Sequence, residues 1–234
     1  MSPAITKAGD MCFSATGSFA IAGVLTTVGA AAMAQNSSKP HRMFAAVPLL
    51  FAAQQAAEGT VWLTMDGGHP TLNRLAVDIF LAIALVVWPT WLSFSLKLVE
   101  RNPARRRMLG ALFWVGSAVA IYAGVFLARS GPVAEIAGHS IRYDYTASDD
   151  GPSSLFYLLV YAIPTVIPFF VSTARGARTI GIMLVVSLIA SVVVQRDALT
   201  SVWCFFAAIL SGLILATITR EQHAAQRSRP VSAP

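Results

Sequence analysis

Seven stretches of this chain are long and apolar enough to cross a bilayer, and a chain that carries them has few ways to fold. They lie near residues 14–34, 43–65, 76–98, 108–128, 153–173, 179–195 and 198–218. A spanning helix needs roughly 20 mostly apolar residues. In hydrocarbon the backbone must satisfy its hydrogen bonds inside its own segment. The sequence therefore predicts an all-α fold, an integral membrane seven-helix bundle over residues 14–219. An N-terminal extension, 1–13, precedes it, and a polar, disordered cytoplasmic tail, 220–234, follows. Only Arg196 and Asp197 separate the last two runs, which predicts a tight antiparallel pair. Charged residues make up 12% of the chain, against about 25% in soluble domains. Too little polar surface remains to cover a globule in water, and the excess must face lipid.

The formal charge of +6 does not point to nucleic acid, because the basic residues cluster in short gaps between apolar runs. Lys39, Arg42, Lys97, Arg101, Arg105, Arg106, Arg107, Arg175 and Arg178 fall on one side with the tail arginines. The other side holds few basic residues and most of the acids. The excess of Lys and Arg in cytoplasmic loops then predicts the N-terminus outside and the C-terminus in the cytoplasm. Ala32-Met33-Ala34 looks like a signal-peptidase site, but the apolar run before it exceeds the 7–15 residues of a signal peptide's core.

The second run carries the unusual chemistry. Gln54, Gln55 and Glu58 lie in it with no Lys, Arg or His in the span. A carboxylate at membrane depth costs about 2.5–3.5 kcal/mol even on insertion scales, so an intramembrane acid marks a functional-site hypothesis. Gln55, Glu58 and Trp62 follow at i, i+3 and i+7, and Gln54 is four residues before Glu58, which sets all of them on one broad helix face. The functional reading is a binding or proton-handling wall. The structural reading has the glutamines joining helices and Glu58 protonated beside a neighbour. Asp78 has a plainer explanation, an exposed i,i+4 pair with Arg74.

Trp88-Pro89 should kink the third helix, and Pro164 and Pro168 the fifth, since proline removes a backbone donor. The loop 129–152 contains SIRYDY, whose alternation suits a short extended segment over the bundle mouth. By the predicted topology Cys12, Glu58, His139, Arg142, Tyr161 and Cys204 share the outer half of the membrane. This predicts an outward-facing polar pocket. Its ligand-binding candidates are Gln54, Gln55, Glu58 and Trp62 on the second helix, with Trp88, Arg142 and Tyr161.

The two cysteines, Cys12 and Cys204, have three readings: a disulfide, ligands of a mixed metal site, or unpaired packing thiols. A metal site would use Cys12, Glu58, His139 and Cys204 and would suit zinc or copper. A retinal Schiff base is ruled out, because residues 198–218 contain no lysine. Three functions stay open. The first is binding of a small ligand or metal ion, for sensing or transport. The second is metal-dependent membrane catalysis, and the third a structural or partner-binding subunit.

Met11-Cys12-Phe13-Ser14-Ala15, Pro48-Leu49-Leu50-Phe51-Ala52, Gln54-Gln55 and Glu58-Gly59 resemble a bacterial family of multi-pass membrane proteins of unknown function. Trp88-Pro89, His139-Ser140-Ile141-Arg142-Tyr143 and the run from Ser201 to Ala207 are similar to it as well. The resemblance covers most of the chain. It implies a bacterial inner-membrane location and carries no activity. Such proteins usually begin at the residue matching Met11. Removal of that methionine would expose Cys12 as an N-terminal cysteine, whose amine and thiol together can chelate a metal.

Overall fold

The computed structural model describes residues 14–35, 39–137, 140–145 and 155–194. The elements are α1 (Ala15–Gln35), α2 (Lys39–Ala45), α3 (Val47–Thr64), α4 (Pro70–Leu81), a π turn (Ala82–Val87), α5 (Trp88–Val99) and α6 (Pro103–Ser130). Two strands follow, β1 (Val133–Ala137) and β2 (Ser140–Asp144), and then α7 (Leu155–Val171) and α8 (Ala177–Val194). Among the described residues three helical stretches are long and apolar enough to cross a membrane: Ala15–Gln35, Pro70–Val99 and Pro103–Ser130. The apolar runs expected at 153–173 and 179–195 form α7 and α8. The expected seventh helix, 198–218, lies outside the described residues, as do the extension 1–13 and the tail 220–234.

Two expectations take a finer form. The described residues are mostly helical, as the all-α class requires, but not helix throughout. The extended segment expected at SIRYDY is β2, which pairs antiparallel with β1 in the loop before α7, with Glu135 opposite Arg142 and Ala134 opposite Tyr143. Tyr143 stacks on Phe80 of α4 at 5.0 Å, and Ile141 is fully buried. The alternating sequence thus lays one apolar face of the hairpin on the helices. The second expected span, 43–65, is not one helix either. Pro48 cannot donate to the carbonyl of Phe44, four residues back, and its ring crowds that turn. The chain breaks at Ala46, and α3 restarts with Pro48 in its first turn. The indole of Trp91 donates to the Met43 carbonyl at 3.0 Å, pinning the end of α2 to α5.

Prolines also explain how α5 and α7 lock together. In the π turn the Trp88 amide reaches back five residues to the Ile83 carbonyl. In the same register the Ala84 carbonyl would take the amide of residue 89, which is proline and has none. The Tyr161 hydroxyl donates to that carbonyl instead. On α7 the Pro164 carbonyl faces the same lack at Pro168, four residues on, and the Ser93 hydroxyl donates to it at 2.8 Å. Each helix supplies a hydroxyl for the carbonyl stranded by the other's proline. Gly116 of α6 lies against this junction, where a Cβ would meet the Pro89 carbonyl oxygen. Elsewhere α1 runs antiparallel to α3, with Gly29 opposite Leu49 and Phe19 against Gly59.

The arginine-bearing end is closed by Glu100, buried just past α5. Its carboxylate accepts from the Asn102 amide at 2.9 Å, the Thr173 amide at 2.6 Å and the Thr173 hydroxyl at 2.7 Å. Arg105 donates to the Val171 carbonyl at 2.9 Å. The α5–α6 and α7–α8 turns are thereby clasped. Burial pushes the Glu100 carboxyl up, but the hydrogen bonds from Thr173, Asn102 and Ser172 outweigh it and hold the group below its ordinary value of 4.5. A lowered folded value stabilises the protein above the unfolded value, and that contribution fades as pH falls through the folded one. Glu100→Ala removes the charged acceptor of three part-buried hydrogen bonds, which costs about 1–3 kcal/mol. The variant is expected to lower the thermal midpoint at neutral pH and to flatten the acid limb of stability below about pH 4.5. An acid limb identical to the native one would rule out this role for the carboxylate.

Candidate functional site

The polar face of α3 turns inward. Gln54 is 0% exposed, Gln55 1% and Glu58 4%, as one stripe at helical spacing requires. The Gln55 amide nitrogen donates to the Glu58 carboxylate at 3.0 Å. Gln54 accepts from the Trp88 indole at 2.8 Å. Phe51, one turn earlier on α3, stacks on Trp88 with ring centroids 4.1 Å apart. The π turn that precedes Trp88 adds a residue to one helical turn and so sets where the indole points. An aromatic wall thus stands beside a buried acid and two buried amides. Glu58 lies six residues before the end of α3, about 9 Å along the axis. It is set well inside the bundle.

The other candidates are distributed unevenly. Tyr161 is buried and held by the Ala84 carbonyl, one turn from Trp88. Its ring is 5.9 Å from that of Tyr157, which lies 5.9 Å from that of Tyr122. Trp62 is half-buried one turn beyond Glu58 and packs on the core. Arg142 is not joined to the α3 face. It sits on the outer face of the hairpin, paired with Glu135 at 2.9 Å and Asp144 at 3.0 Å. These carboxylates hold its guanidinium above its ordinary range, the Asp144 hydrogen bond foremost. The expected Arg74–Asp78 pair does not form; both residues are exposed and neither makes an ion pair with a described residue.

Cys12, His139 and Cys204 lie outside the described residues, so the four-residue metal set is represented by Glu58 alone. Among the described residues no three His, Cys, Asp or Glu side chains are grouped to hold a metal. Phe51, Ser93 and Gly116 were not anticipated from the sequence. The signal for the first was its place four residues before Gln55 on the same face. The signal for the second was the i, i+4 proline pair whose stranded carbonyl needs a donor.

A family of unknown function, DUF6629, matches residues 11–229. The chain belongs to this family. The buried Gln54, Gln55, Glu58 and Trp88 therefore lie in the region that defines a DUF6629 protein. No curated protein and no solved structure matches the chain.

Proposed function

We propose that this DUF6629 protein is a multi-pass protein of a bacterial inner membrane that binds a small ligand or metal ion at the α3 face. The reading has seven spanning helices, the hairpin end and N-terminus outside, and the arginine-bearing end and C-terminus in the cytoplasm. The observation that carries it is Glu58, a carboxyl at 4% exposure among apolar helices, with two buried amides and an indole converging on the same face. Polar groups at membrane depth are expensive and face the bundle interior where they serve binding or proton transfer. The aromatic wall of Phe51 and Trp88 suits a compact, partly apolar ligand or a cation.

The test is a thermal-shift screen of the detergent-purified chain against zinc, copper, other small cations and a panel of small polar metabolites. The native protein is expected to be stabilised by at least one of them. A ligand at 100 times its Kd adds about 2.7 kcal/mol, and Glu58→Gln should remove that shift. A variant that folds, melts like the native protein and responds identically to every compound would leave the polar face with a packing role only.

A further inference from the structure

The clasp between Glu100 and Thr173 brings two distant arginine clusters to one place. Arg101, Arg106 and Arg107 begin the α6 side, and Arg175 and Arg178 the α8 side. Arg42 joins them on α2, which Trp91 pins to α5. All six are exposed. None makes an ion pair with a described residue. Of the described acids only Glu100 lies at this end, and its oxygens are turned inward to Thr173 and Asn102.

We propose that this arginine surface docks anionic phospholipid headgroups of the adjacent leaflet. A topology signal requires only a count of positive charges. Here the fold gathers guanidiniums from three segments while Glu100, the one carboxylate at this end among the described residues, is withdrawn, leaving a positive surface at the ends of apolar helices. Guanidinium matches phosphate geometry in a bidentate manner. Anionic headgroups also lie at the depth where those helices end. The inference rests on the membrane reading above but not on the α3 site or on which leaflet is cytoplasmic.

The test titrates the full detergent-purified chain with phosphatidylglycerol or phosphatidylcholine and counts bound lipid by native mass spectrometry. Phosphatidylglycerol should bind in preference. Arg175→Gln and Arg178→Gln should each weaken it about fivefold, the factor for one basic residue near an anionic surface. Lysine at the same positions should restore most of the charge-dependent part. Arg74→Gln, at the hairpin end, should leave the preference unchanged. Salt raised from about 0.1 M to about 1 M shortens the screening length from about 10 Å to about 3 Å and should erase most of it. Equal binding of the two lipids, or an equal loss in Arg74→Gln, would overturn the proposal. So would full displacement of phosphatidylglycerol by millimolar inorganic phosphate, which would mark a site for the free anion. Extraction of the expressed protein by alkaline carbonate would instead refute the membrane reading itself.

Discussion

Gly116→Ala is expected to destabilise this protein more than any other single added methyl considered above. The new Cβ would lie 2.0 Å from the Pro89 carbonyl oxygen and 3.1 Å from Pro164 Cβ. Neither neighbour can swing aside, because one is backbone and the other a proline ring fixed in a helix. Relief requires α6 to move away from α5 and α7, or the Pro89 backbone to shift beside the Tyr161 and Ser93 hydrogen bonds that join α7 to the π turn and α5. Overpacking costs about 1–3 kcal/mol where side chains can adjust, and this site should lie at or above the upper end. Gly124→Ala, on the same helix with its nearest neighbour at 3.9 Å, is the control and should be close to neutral. Thermal midpoints of the detergent-purified variants measure the contrast. Equal midpoints for the two would mean that α6 does not approach Pro89 this closely.

Trp88→Ala carries the next largest effect. It removes the ring that stacks on Phe51 and the indole that donates to Gln54, and opens a cavity at the buried face of α3. Loss of a buried aromatic to alanine costs about 3–5 kcal/mol. Trp88→Phe keeps most of the packing and loses the donor. Interhelical hydrogen bonds within membranes average about 0.6 kcal/mol and reach about 1.7, so Trp88→Phe should cost about 1 kcal/mol. Equilibrium unfolding of both variants separates packing from hydrogen bonding at this wall. A phenylalanine variant as damaged as the alanine one would shift the weight from the ring to the Gln54 bond.

Much of this architecture was legible because hydrocarbon imposes simple rules. Apolar runs of the right length became helices, and the inward turn of Gln54, Gln55 and Glu58 followed from their spacing on one face. The break at Ala46 was legible too, in Pro48, but an unbroken apolar run from Met43 to Met65 masks it on hydropathy alone. Proline at position 48 strands a carbonyl whatever the side chains around it prefer. The partners of Trp88 and Glu100 were not legible. Trp88 meets Gln54 across 34 residues and Glu100 meets Thr173 across 73, separations that no local period encodes. The Arg74–Asp78 expectation failed for another reason. Exposed i,i+4 pairs gain little over solvation, so correct spacing does not compel contact. Arg142 instead follows the strand register, which sets Glu135 directly opposite it.

The central claim is that the buried Glu58 face holds a ligand. Native mass spectrometry of gently extracted native protein and Glu58→Gln tests it most directly, with circular dichroism confirming that both are folded. The account predicts a bound mass on the native chain that is missing from the variant. Identical, unliganded spectra, recorded from preparations supplemented with the compounds of the screen, would contradict it.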